Sequence, residues 1–203
     1  MRAAQRVALL GGTFDPPHAG HLAAVTACRQ ALRPDRFLLV VANDPWQKSP
    51  QRPVTPAEDR FAMVVAAAAE LEGVEASRME IDRGGPSYTI ETVEQLRAEA
   101  EAAGQPTPEI LMVVGADLLP TLPTWERARE LRRLVTVAVV SRPGSPPSPP
   151  PPAWRVVRID GPQVDVSSSA IRASLAAGLA VDGLVPDAVI RCIRCRGLYA
   201  VDR

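Results

Sequence analysis

The chain has 203 residues, 46% of them apolar, and 23 basic against 23 acidic side chains. That is length enough for one well-buried domain, and the balanced charge supplies neither a global basic field for nucleic acid nor an acidic tail. No apolar run approaches the roughly 18 residues a membrane span needs, so no membrane partner is expected.

Val7–Leu10 is the first strand-like run, and it is preceded by no apolar leader. Helix-like periodicity follows near Gly20–Leu32, then a strand at Phe37–Ala42 and a helix over Pro56–Leu71, where Pro56, Glu58 and Asp59 mark the start. A strand is expected at Val74–Ile81, and Gly84–Thr89 reads as a tight turn into a helix at Ile90–Ala103, with Thr89 as its N-cap and Gly104 as its end. Next come a strand at Ile110–Val114, a helix at Trp125–Arg133, and strands at Val135–Val140 and Val156–Ile159. Residues 143–152, rich in proline, read as an exposed polyproline-type connector rather than a ligand for a partner domain. The C-terminal part, 167–203, holds helices at Ser167–Ala177 and Pro186–Arg196 and a final strand at Leu198–Val201. Strands alternating with helices imply right-handed βαβ units, and Phe37–Val41 is apolar on both faces, as in a sheet covered on each side. The expected fold is therefore α/β, a doubly wound, Rossmann-like parallel sheet in a single domain with a small helical extension.

Both histidines, His18 and His21, lie in the run Gly11-Gly12-Thr13-Phe14-Asp15-Pro16-Pro17-His18-Ala19-Gly20-His21 that follows the first strand. Gly11 and Gly12 let backbone N–H groups approach a ligand, and the helix N-terminus beside the histidines favours polyphosphate. A His-x-x-His metal site is the weaker alternative, since it has neither a zinc-protease glutamate nor a third ligand; structural histidines in a capped turn are the plain one. Lys48 is the chain's single lysine, beside Trp46 at the end of the second strand, and suits a point charge for phosphate better than an ordinary surface role.

Ser167-Ser168-Ser169-Ala170-Ile171-Arg172 reads as a second helix-start anion site. Gly115-Ala116-Asp117 follows a strand at the sheet's carboxyl edge, where Asp117 either orients a ribose hydroxyl or caps the next segment. Trp125 is either core or an aromatic platform for a flat ring. Cysteines number three, too few and too odd for a disulfide framework, so a reducing cytoplasm is expected. Cys192 and Cys195, spaced as C-x-x-C without a second pair, read as two half-buried thiols on one helix face.

Together these residues resemble the bacterial nicotinate-nucleotide adenylyltransferases, of the H-x-G-H nucleotidyltransferase superfamily. Gly11–His21 matches that family's opening motif throughout, Asp82–Thr89 looks like its substrate segment, and Thr124-Trp125 looks like its ring-stacking region. Ser167–Arg172 is similar to its C-terminal motif, with serine in the threonine place. Two departures stand out: Asn43–Lys48 replaces the commoner Pro-Pro-His-Lys, and Glu126 replaces a tyrosine.

The resemblance implies transfer of the adenylyl group of ATP to nicotinate mononucleotide. His18, His21 and Arg172 would act on the ATP phosphates, with Lys48 bridging to the attacking phosphate. Gly11, Gly12, Thr13 and Phe14 would lie on the ATP side, as would Gly115, Asp117, Ser168, Ser169 and Ile171. Trp46, Tyr88, Thr89 and Trp125 would hold the mononucleotide. Mg²⁺ would be held by phosphate oxygens and water, with no protein ligand, and the sequence leaves room for a homo-oligomer. The rival readings are a transferase for nicotinamide mononucleotide or another phosphorylated small molecule, and a non-catalytic nucleotide sensor.

Overall fold

A computed structural model describes residues 3–45, 53–141, 149–161 and 164–199. Six strands form one sheet in the order β3-β2-β1-β4-β5-β6, with β1 at Arg6–Gly12, β2 at Arg36–Val41, β3 at Val74–Ser77, β4 at Glu109–Gly115, β5 at Val135–Ser141 and β6 at Val156–Asp160. The pairs β1–β4, β4–β5 and β5–β6 are parallel, with Val7 opposite Ile110, Met112 opposite Val137 and Val139 opposite Arg158. Helices α1 (Ala19–Leu32), α2 (Ala57–Ala68), α3 (Met79–Arg83), α4 (Thr89–Ala102), α5 (Ala128–Leu134), α6 (Ser168–Ala176) and α7 (Asp187–Cys195) complete it. This is the expected doubly wound architecture, with strand order reversing at β1.

The local chemistry explains most of the boundaries. Every residue of Phe37–Val41 is buried, as is every residue of Ile110–Val114, which is what unbroken apolar runs predict for strands covered on both faces. The edge strand β6 instead buries only Ile159 and leaves Val157 and Arg158 exposed. Glu58 and Asp59 sit in the first turn of α2 behind Pro56, where acidic groups meet the positive helix end. Gly104 takes φ +63° just past α4, and the Gln105 N–H reaches back to the Ala100 carbonyl to close the helix.

Four expectations need correction. The strand expected over Val74–Ile81 ends at Ser77 and becomes α3. There the apolar alternation slips phase at Arg78, whose guanidinium reaches Asp82 one turn on. Trp125–Arg133 is not one helix: Ala116–Thr124 forms a 3₁₀ segment containing Pro120 and Pro123, Arg127 takes φ +47°, and α5 starts only at Ala128. Prolines without N–H groups fit that short 3₁₀ winding better than an α-helix. Thr89 is the first residue of α4 rather than its N-cap, a place held by Tyr88. Leu198 and Tyr199 lie in a turn, and the rest of the expected final strand is outside the described residues. Of the proline-rich connector, Pro149, Pro150 and Pro152 are exposed. Among the described residues no helix is long and apolar enough to cross a membrane.

Contacts divide the chain into two compact units. One comprises Met1–Gly11, Val25–Leu38 and Tyr88–Gln163, and its core is built on Val7, Leu9, Ile110, Met112, Leu131 and Val137. The other comprises Gly12–Ala24, Leu39–Ser87 and Val164–Arg203. Its apolar cluster joins Met63 and Ala67 of α2, Ile171 of α6 and Val189, Ile190 and Ile193 of α7.

Cys28, on α1, has no exposed surface, and burial pushes its thiol up to about 12 from 9.0. The folded chain thus keeps a proton that the unfolded chain gives up, so this contribution is complete below pH 9.0 and is lost as pH climbs toward about 12. The slope is about 1.4 kcal/mol per pH unit. In urea titrations across that range, Cys28→Ala is expected to lose stability with pH less steeply than the parent. Parallel curves would remove the thiol from the account.

Candidate active site

The loop after β1 is arranged by packing between its own rings. A Cβ on Gly12 would lie 2.9 Å from the Phe14 ring, which is buried under it with backbone φ +50°. Phe14 meets His21 edge-on at 5.0 Å between centroids, and His21 overlaps His18 at 3.7 Å and 35°. A Cβ on Gly20 would sit 3.1 Å from both His18 Nδ1 and Val166 Cγ1. Gly12 and Gly20 therefore make room for rings, whereas a Cβ on Gly11 would meet nothing within 4 Å. Only at Gly11 does the expected open approach for a ligand correspond to open space.

The backbone N–H of His18 donates to His21 Nδ1 at 3.2 Å. A ring nitrogen that accepts carries no proton, so the neutral His21 ring carries its proton on Nε2. His18 is 8% exposed, and at the start of α1 the Ala19 N–H donates to the Leu184 carbonyl at 2.8 Å while the His21 and Leu22 N–H groups donate to the His18 carbonyl.

The serine segment docks on the same loop. Ser167 is the N-cap of α6, accepting from the Ala170 N–H at 3.2 Å, while the Ser168 hydroxyl donates to the Pro16 carbonyl at 3.0 Å. Arg172 donates to the Asp15 carbonyl at 2.7 Å and to the Ser169 hydroxyl at 3.1 Å. The structure thus brings His18, His21, Ser168, Ser169 and Arg172 into one unit. Ile171 belongs to the apolar cluster, with its N–H spent on the Ser167 carbonyl.

Asp15 and Tyr199 escaped the sequence reading as functional residues. Asp15 is 1% exposed; its carboxylate accepts from the Tyr199 hydroxyl at 2.7 Å and lies 3.9 Å from the Arg172 guanidinium. Burial, ahead of every other influence, keeps the Tyr199 hydroxyl protonated well above its ordinary range. A carboxylate amid Gly11–Pro17 was the available signal. Nothing in the sequence marked Tyr199.

Arg60 was missed as well. It is 1% exposed and donates to the carbonyls of Thr13 (2.9 Å), Ala42 (2.7 Å), Asn43 (2.9 Å) and Thr55 (2.7 Å). Arg60 shares the stripe of Met63, Val64 and Ala67, at i, i+3, i+4 and i+7, and a charge on an apolar stripe signals buried partners. Asn43 extends the connection: its N–H donates to Ser87 Oγ at 2.8 Å and its Nδ2 to the Gly85 carbonyl at 2.9 Å.

The other unit carries Tyr88, Thr89, Gly115, Asp117 and Trp125. A Cβ on Gly115 would run into the Asp117 carboxylate, which folds back over it, and Asp117 makes no side-chain cap to the 3₁₀ segment. Trp125 is half-buried and its Nε1 donates to Thr121 Oγ1 at 3.1 Å, which fixes the plane of the indole. Lys48 and Trp46 lie outside the described residues. Among the described residues no three His, Cys, Asp or Glu side chains are grouped to hold a metal ion.

Residues 9–174 match the cytidylyltransferase-like family. A probable nicotinate-nucleotide adenylyltransferase of Acidothermus cellulolyticus is 38% identical over 196 residues, covering 96% of this chain and 94% of that protein. One from Methylibium petroleiphilum is 43% identical over 207 residues, covering 98% and 94%. The Plasmodium falciparum nicotinic acid mononucleotide adenylyltransferase, solved with NaAD, superposes with a TM-score of 0.72 at 14% identity, covering 96% of this chain and 97% of its own; at that distance the likeness speaks for the fold. With such identity along nearly all its length, the chain belongs to the nicotinate-nucleotide adenylyltransferase family.

Proposed function

We propose that the protein transfers the adenylyl group of ATP to nicotinate mononucleotide, releasing nicotinate adenine dinucleotide and pyrophosphate in the synthesis of NAD. The observation that carries the reading is the stacked His18–His21 pair at the start of α1, with the His21 proton held on Nε2 and Arg172 anchored on the same loop. A phosphate oxygen of the mononucleotide attacks the α-phosphorus in line; the bond from the α-phosphorus to the bridging oxygen breaks, and that oxygen leaves with pyrophosphate. The nucleophile is already anionic, so no protein base and no covalent enzyme intermediate is needed.

Catalysis then rests on positioning and on stabilising charge, where well-oriented reactants can gain roughly 7–11 kcal/mol. His18 and His21 act as donors to the ATP phosphates as negative charge builds on the leaving group. Arg172, planar and always charged, adds a fixed positive field beside them. Gly11 leaves room for close backbone approach, while Gly115 and Asp117 serve the nucleoside side. The Trp125 indole, held by Thr121, stacks on the pyridine ring beside Tyr88 and Thr89. Lys48 and Trp46 complete the mononucleotide side. Mg²⁺ bound with ATP would have no protein ligand among the described residues, and the chemistry it would supply is shielding of the charge on the leaving pyrophosphate.

The whole chain works as one transferase domain, with 167–203 as its C-terminal helical part and free cysteines suited to the reducing cytoplasm where ATP is made. The deciding experiment measures pyrophosphate release from ATP with nicotinate and with nicotinamide mononucleotide. Release with the nicotinate form, and much less with the amide, is expected. Equal rates would remove the acid preference, and no release with either would restore the sensor reading.

A further inference from the structure

We propose that Arg60 is a positioning residue for adenylyl transfer, its guanidinium setting the spacing between the histidine loop and the turn that precedes Tyr88. The inference rests on the functional reading above, in which those two segments serve ATP and the mononucleotide.

Arg60 bonds to carbonyls from three separate places in the chain, all in one compact unit: Thr13 in the loop after β1, Ala42 and Asn43 at the end of β2, and Thr55 before α2. Each carbonyl belongs to a residue outside the strands and helices. The Asn43 end is then tied to the turn, through Ser87 Oγ, the Gly85 carbonyl and a Ser87 N–H that donates to the Asp44 carbonyl at 3.1 Å. A continuous run of bonds therefore leads from Thr13, next to Phe14 and the histidines, through one guanidinium to Gly85 and Ser87. A rigid fork with five donors can span such a set of acceptors, and the compact ammonium of lysine cannot.

The geometry also separates Arg60 from the ligand-binding residues. It is buried and gives its donors to main chain, so it acts through the segments it holds. Misplacing reactants by about 1 Å can cost on the order of 10² in rate. A lysine that keeps the charge and part of the bonding is expected to lower kcat about tenfold.

The test compares the parent, Arg60→Lys, Arg60→Gln and Asn43→Ala. It reads kcat and both KM values by pyrophosphate release, ATP binding by calorimetry and folding by thermal melting. Parent turnover checks the functional reading by itself; the ratio of variant to parent checks the positioning. In Arg60→Lys, kcat per folded molecule is expected to fall about tenfold while ATP affinity stays within about threefold, and Arg60→Gln should fall further. A purely structural arginine would lower the melting temperature and leave kcat per folded molecule within twofold of the parent, which overturns the proposal. Should neither Arg60 variant fold, Asn43→Ala decides, because it removes only the exposed side-chain bond to Gly85. A mononucleotide KM raised severalfold with an unchanged ATP KM supports the spacing role; two unchanged KM values refute it.

Discussion

His21→Ala is expected to lower kcat for adenylyl transfer by about 10²–10³, the usual effect of deleting one well-placed donor to developing charge. The fold should survive. His21 is half-buried, and the hydrogen bond its Nδ1 accepts from the His18 N–H is worth about 1 kcal/mol net. The ring also packs on Phe14 and His18, so the variant is expected to melt a few degrees below the parent. His18 is the poorer choice for the experiment: it is nearly buried and fills the space that Gly20 leaves, so its loss mixes packing with chemistry. The measurement is kcat with both substrates saturating, alongside the melting temperature. A His21→Ala enzyme turning over within a few-fold of the parent would take the imidazole out of the mechanism. A loss confined to KM would make it a binding group used equally before and during the transition state.

The positions of most strands and helices were legible because their signals are local and repetitive. Unbroken apolar runs marked β2 and β4, and Pro56 with Glu58 and Asp59 marked the start of α2 within a residue. The H-x-G-H loop was legible as chemistry, though the glycines serve differently than expected: Gly12 and Gly20 accommodate rings inside the protein. Legibility failed where a residue's partner lies far along the chain. Arg60 contacts Thr13 at a separation of 47 residues and Tyr199 contacts Asp15 at 184, and no window of sequence holds both ends. Arg172 shows the same limit in milder form. Its type and motif pointed at phosphate, yet its anchoring to the Asp15 carbonyl depends on how α6 packs on the loop. The 3₁₀ segment was missed for another reason. Pro120 and Pro123 break the pattern of an α-helix, whereas a 3₁₀ segment contains both.

Asp15→Ala is expected to destabilise the protein by about 2–3 kcal/mol, or roughly 4–12 °C in melting temperature for a chain of this size. Two contacts compete to explain that cost. The ion pair with Arg172, at 3.9 Å, is too long for a hydrogen bond, and its gross attraction of about 4 kcal/mol at an effective dielectric of 20 is offset by several kcal/mol of desolvation. The bond from the Tyr199 hydroxyl, at 2.7 Å to a buried carboxylate, is short and charge-assisted, worth about 1.5–3 kcal/mol. The hydrogen bond should therefore dominate, and Asp15→Asn separates the two. Its amide oxygen still accepts from Tyr199 while the negative charge is gone, so it should cost about 1 kcal/mol, well short of alanine. Were the ion pair dominant, asparagine would cost as much as alanine. Tyr199→Phe closes the cycle: added to Asp15→Ala it should cost little more, because the bond it removes has already gone. Additive losses would show that the carboxylate and the tyrosine stabilise the loop independently, and that the C-terminal turn does not hold the histidine loop through Asp15.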